Sequence, residues 1–178
     1  GSTADYLLPV FVFDEREMEL SGLPGYNRKG PEARTKEYGF WKTGGFRTRF
    51  ISESVYDVRS RLRAAGSDLL IRFGIPEDVV ANLVSAFQAD GTHVEGVWLQ
   101  KEMTYPEIDV ENAIVEKLQG TGVPVQFVNG KTLIHPADLP FESSETPDVF
   151  TPFRKKVEAL GPNMVRPVKP SPAKFKSF

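Results

Sequence analysis

The stretch FRTRFISESVYDVRSRLRAAGSDLLIRFGIPEDVVANLVSAFQADGTHVEGVWLQ, residues 46–100, decides the fold class, because helical and strand-like patterns alternate along it. Each of its helical patterns, 46–66 and 75–91, is followed by a short apolar run, 69–73 or 94–100. Further strand-like runs at 7–14 and 123–128 and a helical pattern at 105–120 continue the alternation. This order is typical of an α/β protein with a doubly wound parallel sheet, and near-continuous apolar runs predict strands buried on both faces.

The apolar spacing within these segments predicts which side chains form the core. In the first helical pattern, the residues expected on one buried face are Phe46, Phe50, Val55, Val58 and Leu62. Trp98, inside the third strand-like run, is also expected in the core.

Composition limits the classes of protein to which the chain can belong. Hydrophobic residues make up 40% of the 178 residues and charged residues 26%, which favours one globular domain. The sequence has no cysteine, so disulfides and cysteine-type zinc sites are excluded. No apolar run is long enough to cross a membrane as a helix. We expect an intracellular protein, with nucleus, cytoplasm and mitochondrion all left open.

Two regions interrupt the alternation. Residues 15–45 form a long loop rich in glycine, proline and charge, and a loop of that length is usually functional or disordered. Its adjacent Phe40 and Trp41 indicate either docking onto a neighbouring domain or local packing. Residues 161–178 form a proline-rich basic segment, which predicts an extended tail or interdomain linker after a domain spanning residues 1–160.

A short basic helix closes the predicted domain. Thr151 is its expected N-cap, and Phe153, Val157 and Leu160 are expected on one docking face. From residue 151 onward, seven basic residues face a single acid, Glu158: Arg154, Lys155, Lys156, Arg166, Lys169, Lys174 and Lys176. Such asymmetry indicates a solvated tail or contact with nucleic acid or a partner.

The sequence predicts no catalytic residue and no metal site. His93 and His135 lie in loops without a convincing partner, so structural or surface roles are favoured over catalysis. No nucleophile elbow, zinc-binding helix, phosphate loop or dinucleotide fingerprint is present. The chain shows no paired nucleophile and base.

One acid is notable for its position. Glu102 follows the strand-like run ending in VWLQ, and ligands of open α/β sheets bind outside the carboxyl ends of the strands. A carboxylate there can accept two hydrogen bonds from the edge of an amino-pyrimidinone heterocycle. The alternative is an acid that caps a helix or lies in solvent.

With these residues assembled, the chain resembles the cryptochrome/photolyase family, specifically its DASH branch. The stretches that carry the resemblance occur in the family's order: LLPVFVFD (7–14), YGFWKTGGFRTRFISESVYDVRSRLRAAGSDLLIRFGIPEDVV (38–80), VWLQKEMTYPEIDVE (97–111), DLPF (138–141) and PDVFTPFRKKVE (147–158). The FWKTG form and the expanded loop before it look like the fungal members.

The resemblance implies a fold, cofactors and partners. It implies an N-terminal α/β antenna domain that binds methenyltetrahydrofolate, with Glu102 holding the pterin edge and Gln100 and Lys101 as weaker candidates. The helical domain that binds FAD, and through which the parent protein meets DNA, is not represented, so FAD has no site on this chain. In the family's sheet order, 3-2-1-4-5, the central first strand should precede residue 7. We therefore expect a fragment, or a gap that another segment or partner chain fills.

Three functions remain open from the sequence. The first is the antenna domain of a deoxyribodipyrimidine photo-lyase or photoreceptor, whose parent uses blue light to split cyclobutane pyrimidine dimers, preferably in single-stranded DNA. The second is a light-independent interaction module without FAD or catalysis. The third is a generic nucleotide-binding domain, against which the absence of a glycine-rich phosphate loop argues. The antenna itself is left open as folate, flavin or none.

Overall fold

The computed structural model describes residues 5–170 and residue 174. Strands and helices alternate in the predicted order. Their bounds are β1 (Val10–Asp14), α1 (Gly45–Ala64), β2 (Leu70–Gly74), α2 (Pro76–Ala89), β3 (Val97–Gln100), α3 (Tyr105–Leu118), β4 (Val125–Val128) and α4 (Phe150–Glu158), with 3₁₀ turns at Pro136–Asp138, Ser143–Glu145 and Gly161–Met164. None of the described helices combines the length and the apolar character needed to cross a membrane.

The four strands form two parallel pairs. β1 pairs with β2, with Val10 opposite Leu70, and β3 pairs with β4, with Val97 opposite Val125. The predicted α/β class with parallel strands is confirmed. Within the described residues, β1 and β3 do not pair with each other, so the four strands do not make one continuous sheet. That the family's central first strand belongs between the two pairs stays a prediction.

Two cores hold these pairs. Phe13 of β1 and Leu69, directly before β2, pack with Val55 of α1 and with Met18 and Leu20 from the long loop. The second core joins α2 and α3 to β3 and β4; its buried members are Val84, Ile114, Leu118 and Val123. Direct packing of α2 against α3, and of α2 against β1 and β2, connects the two halves of the fold.

The prediction that strands are buried on both faces is wrong for the second pair, β3 and β4. Val97 and Leu99 face the helices, whereas Trp98 is 37% exposed and its Nε1 donates to Gln126 Oε1 at 3.1 Å. Successive side chains of a strand point to opposite faces, and in the described structure the α2–α3 layer covers one face of this pair. The prediction that Trp98 is a core residue is therefore wrong.

The predicted buried face of α1 was also partly wrong. Val55 is buried, and Ile51 and Leu62 pack beside it, but Phe46 is 96% and Phe50 is 70% exposed. At 100° per residue, Ile51, Val55 and Leu62 share one side of the helix. Phe46 and Phe50 point more than a quarter turn away from that side, which is why they reach the surface.

The N-cap of helix α4 lies two residues before the predicted cap. Its N-cap is Val149, and no side chain caps it, so Thr151 lies inside the first turn. Val157 is buried as predicted, whereas Leu160 is 39% exposed, because the helix has already ended at Glu158. After the helix, Arg166 pairs with Asp138 at 2.5 Å. The tail prediction for residues 171–173 and 175–178 lies outside the described residues, and the 160/161 boundary stays a prediction.

The long loop is organised around one buried carboxylate. Glu15 is 1% exposed and accepts hydrogen bonds from the Tyr26 hydroxyl and from the backbone N–H groups of Lys29 and Gly30. A Cβ added at Gly30 would lie 2.6 Å from Glu15 Oε1, so a larger residue here would displace the buried carboxylate. The sequence predicts a functional or disordered loop at residues 15–45, and in the structure the buried carboxylate of Glu15 holds part of this loop in place.

Tyr26 gives this loop a measurable pH dependence. Burial and the hydrogen bond to Glu15 raise the pKa of Tyr26 above its usual value of about 10. Above pH ~10 the unfolded chain releases this proton and the folded chain keeps it, so the stability that Tyr26 contributes is complete below about pH 10 and declines as the pH rises further.

We expect Tyr26→Phe to lower the free energy of unfolding near neutral pH by about 1 kcal/mol, the value of one hydrogen bond. Urea unfolding of wild type and variant should show this difference shrinking above pH ~10. A difference that stays constant through that range would contradict the raised pKa.

Candidate functional site

A cleft of about 840 Å³ lies where the two strand pairs face each other. Val12 and Asp14 of β1 line one wall, and Leu99 and Gln100 of β3 line the opposite wall. The first turns of α2 and α3 and part of the long loop complete it, through residues that include Glu77, Glu107 and Lys42. Parallel strands end together at one edge, so the mouth of the cleft is the edge at which ligands of this fold class bind.

The structure brings two of the three predicted site residues together. Gln100 and Glu102 both line the cleft, and Lys131 donates to Oε2 of Glu102. Among the described residues, Glu102 Oε1 has no hydrogen-bond partner. Lys101 does not line the cleft; its ammonium group contacts Glu111 and lies 4.8 Å from the centre of the Phe127 ring. Whether any of the three binds a cofactor stays a prediction.

Glu111 of α3 holds the turn that carries Glu102. It is 3% exposed, and it accepts the Lys101 ammonium group on one oxygen and the backbone N–H of Glu102, at 2.5 Å, on the other. The residues that directly follow β3 are therefore tied to one carboxylate of α3. Sequence reasoning missed Glu111. A signal for it exists, because Glu111, Ile114 and Leu118 have the spacing of one buried helix face, which places an acid among apolar residues.

Arg16 joins the other side of the cleft mouth. Its guanidinium bonds Asp14 at the end of β1 and Glu77 in the first turn of α2, each at 2.8 Å. Hydrogen bonding to Asp14, and then to Glu77, raises the pKa of Arg16 although partial burial opposes this shift. The guanidinium group of Arg16 therefore stays charged, and it fixes the end of β1 to the start of α2. Sequence reasoning missed this clamp, because residues 16 and 77 lie far apart in the chain.

The remaining candidate residues have structural roles or exposed positions. His135 Nδ1 accepts the N–H of Ala137 at 3.2 Å and so caps a 3₁₀ turn, which confirms the expected structural role. His93 is exposed. Within residues 5–170 and residue 174, no three acids or histidines are grouped so that they could hold a metal ion.

The cleft fits a flat heterocycle with hydrogen-bond donors on one edge. Glu102 offers a partly buried carboxylate with one oxygen unused, Gln100 offers an amide beside it, and the cavity volume is in the range of pockets for drug-sized molecules. No described group of the cleft forms a phosphate-binding glycine loop.

Comparison with known proteins identifies the family. The sequence profile described as DNA photolyase matches residues 2–173. The chain belongs to the DNA photolyase family. It is 45% identical over 138 residues to the cryptochrome DASH of Gloeobacter violaceus, covering 78% of this chain and 26% of that protein. It is 38% identical over 174 residues to the cryptochrome DASH of Xenopus laevis, covering 97% and 29%.

A solved structure supports the same assignment. The cryptochrome of Synechocystis sp. PCC6803 superimposes with a TM-score of 0.81 at 28% identity, covering 97% of this chain and 31% of that one. The predicted DASH-type family and its N-terminal α/β domain are confirmed, while the likeness to fungal members stays a prediction. The photolyase-family chain described here spans about 26–31% of the length of these relatives.

Proposed function

We propose that this chain is the antenna-chromophore domain of a DASH-type cryptochrome or photolyase and that it binds methenyltetrahydrofolate in the cleft. The observation that carries the proposal is Glu102, whose carboxylate lines the cleft with Oε1 unused and whose backbone is fixed by Glu111. An amino-pyrimidinone edge presents two adjacent donors, which a carboxylate accepts in a bidentate manner.

The chain's own contribution is to hold the chromophore in one orientation. When bound, the folate absorbs near-ultraviolet and blue light and passes its excitation to a flavin. Glu102 and Gln100 would fix the in-plane orientation of the pterin. The Arg16 clamp and the Glu111 anchor keep the two walls of the cleft rigid.

The proposal extends to the activity of the full-length parent protein. In the parent, a helical domain would bind FAD and would meet DNA. The parent would repair cyclobutane pyrimidine dimers in single-stranded DNA, or act as a photoreceptor, inside the cell. Membership of the DNA photolyase family supports this level, and the specific substrate is our proposal.

The sheet also needs a strand. β1 and β3 each have one described pairing partner, and the cleft runs between their open edges. Unpaired strand edges recruit further strands. We propose that another segment or partner chain adds a parallel strand along the floor of the cleft, between β1 and β3, and that the chromophore binds at the mouth, beyond the strand ends, where Glu102 lies. The same open edges favour the alternative function, a light-independent module that binds a polypeptide.

Titration with methenyltetrahydrofolate, followed by absorption, tests the proposal. We expect a shifted, saturable folate band for the wild type, and Glu102→Gln should raise the dissociation constant roughly 10–100-fold by losing a charge-assisted bond. Glu116→Gln on the exposed side of α3 is the matched control and should bind as the wild type does.

Three outcomes would contradict the proposal. They are a spectrum that folate leaves unchanged, a Glu102→Gln variant that binds folate as tightly as the wild type does, and a saturable signal from a flavin in place of folate. If folate leaves the spectrum unchanged, folding that depends on an added strand would support the light-independent interaction module. The test adds an extended apolar peptide to the chain and compares the cooperativity of unfolding with and without the peptide.

A further inference from the structure

Lys131 is the described cation that pairs with Glu102 at the cleft mouth. Its ammonium group donates to Oε2, and the side chains of Lys131 and Glu102 are 44% and 21% exposed, so the pair is partly removed from solvent. Lys131 lies in the exposed loop that follows β4, and it does not line the cleft. It therefore reaches the candidate carboxylate from outside the cleft.

The backbone of this loop brings the ammonium group to the carboxylate. The N–H of Lys101 donates to Val128 O at 2.8 Å, which continues the pairing of β3 with β4 just past the end of β3. Three residues later the chain reaches Lys131. A Cβ added at Gly130 would lie 3.1 Å from Gln100 Nε2, so the loop packs closely against the other candidate residue of the cleft. The position of Lys131 is thus set by the pairing of two strands.

A second carboxylate, that of Glu107 in the first turn of α3, interacts with the same ammonium group. Glu107 lines the cleft and accepts the hydroxyl of Thr104. That hydrogen bond lowers the pKa of Glu107; burial opposes the shift, and the positive charges of Lys131 and Arg47 add to it. Glu107 is therefore ionised near neutral pH. Lys131 acts on two carboxylates, on Glu102 by direct contact and on Glu107 through space.

The other charged side chains of the cleft leave Lys131 as the cation that offsets Glu102 and Glu107. Apart from Glu107, the described lining residues that make no ion pair are Lys36 and Asp109, one of each sign. The remaining charged lining residues form these pairs: Arg16 with Asp14 and Glu77, Lys42 with Glu17, Arg34 with Glu32, and Glu111 with Lys101.

We propose that Lys131 is a positioning residue of the candidate site, which keeps Glu102 ionised and holds its carboxylate in place for a ligand with two adjacent donors. A carboxylate oxygen can accept two hydrogen bonds, so Oε2 can keep Lys131 and still accept one ligand donor while Oε1 accepts the other. A protonated Glu102 would present an O–H to a ligand donor and lose this contact. The proposal rests on the folate-binding function proposed above, and it adds a residue that does not line the cleft.

The loss of Lys131 should make ligand binding more sensitive to acid. Without the ammonium group, Glu102 faces the negative charge of Glu107 with no cation in contact. A neighbouring cation favours the ionised form of a carboxyl group, and a like charge disfavours it. Glu102 should then take up a proton at a higher pH, and folate binding should decline at that higher pH.

Titration with methenyltetrahydrofolate at a series of pH values between about 4 and 7, followed by absorption, tests the proposal. The midpoint of the decline in affinity should lie about one pH unit higher in Lys131→Met than in the wild type. At pH ~5 the dissociation constant of this variant should be roughly 3–10-fold higher. Lys131→Arg should keep the wild-type profile, because its guanidinium stays charged.

The controls separate the charge of Lys131 from a general loss of stability. Lys155→Met removes an exposed cation of α4 that does not line the cleft, and it should bind folate with the wild-type profile. In a Glu102→Gln background, Lys131→Met should cause no further shift of the midpoint, because residue 102 no longer titrates. Urea unfolding over the same pH range confirms that each variant is folded.

The outcomes distinguish failure of this proposal from failure of folate binding. The role of Lys131 is overturned, with folate binding intact, if Lys131→Met keeps the wild-type profile or loses the same factor in affinity at every pH. It is also overturned if Lys131→Met binds more tightly, since Lys131 would then compete with the ligand for Oε2. A wild type that binds no folate at any pH overturns both proposals.

Discussion

Glu15→Ala is expected to lower the free energy of unfolding by about 3 kcal/mol, although residue 15 begins what sequence reads as a loop. The substitution removes a fully buried carboxylate and leaves the Tyr26 hydroxyl and the Gly30 N–H without their acceptor. Each unsatisfied buried donor costs about 1–3 kcal/mol, and the vacated volume adds to this. For a chain of this size the melting temperature should fall by roughly 6–12 °C.

Two comparisons make the Glu15 prediction specific. Glu15→Gln keeps the shape of the side chain but places an amide N–H₂ group against one of the donors. We therefore expect its loss in the free energy of unfolding to lie between those of Tyr26→Phe and Glu15→Ala. Limited proteolysis should cut residues 15–45 faster in Glu15→Ala, with little change in the rate at α2 and α3. If the alanine variant melts as the wild type does, Glu15 does not organise the loop.

Glu111→Ala is expected to affect stability and the candidate site together. Removing this carboxylate leaves the Lys101 ammonium and the Glu102 N–H without their partner, and breaking one side of a buried pair costs about 3 kcal/mol. Since Lys101 is 38% exposed, water replaces part of what it loses, so we expect about 2 kcal/mol, measured by urea unfolding. Methenyltetrahydrofolate affinity should fall with it, because Glu102 loses its backbone anchor.

A conservative variant and a double variant test whether Glu111 positions Glu102 or only stabilises the fold. Glu111→Gln keeps an acceptor for the Glu102 N–H and should recover most of the folate affinity while remaining less stable than wild type. Glu111→Leu combined with Lys101→Met should recover stability without recovering folate affinity, because apolar partners can replace a buried ion pair but cannot fix Glu102. If stability and affinity fall and recover in parallel in every variant, Glu111 has no separate positioning role.

Local patterns sufficed for the parts of the fold that depend on neighbours in sequence. The runs ending at Asp14 and Gln100 became strands, and helices α2 and α3 begin within one residue of the helical patterns at 75–91 and 105–120. The resemblance to DASH proteins rested on the same segments, and the family assignment confirms it. The position of Glu102 after a strand placed it at the cleft mouth without any knowledge of the cleft.

Local patterns failed where a residue's environment depends on a distant element. Trp98 was expected in the core, but which face of a strand is covered depends on where α2 and α3 pack. Phe46 and Phe50 fitted an apolar stripe, but α1 buries Val55 and Leu62 on another side. The Arg16–Glu77 pair joins residues that no sequence spacing relates.

The sequence by itself determined the α/β class, the order of its elements, the family and the acid that follows β3, because each depends on the periodicity or motifs of one continuous segment. Tertiary structure alone decided that Glu15 organises the long loop, that Glu111 anchors Glu102 and that Trp98, Phe46 and Phe50 are exposed. Burial and hydrogen-bond pairing are properties of elements packed together, and the free energy of a buried carboxylate depends on the donors that packing brings to it.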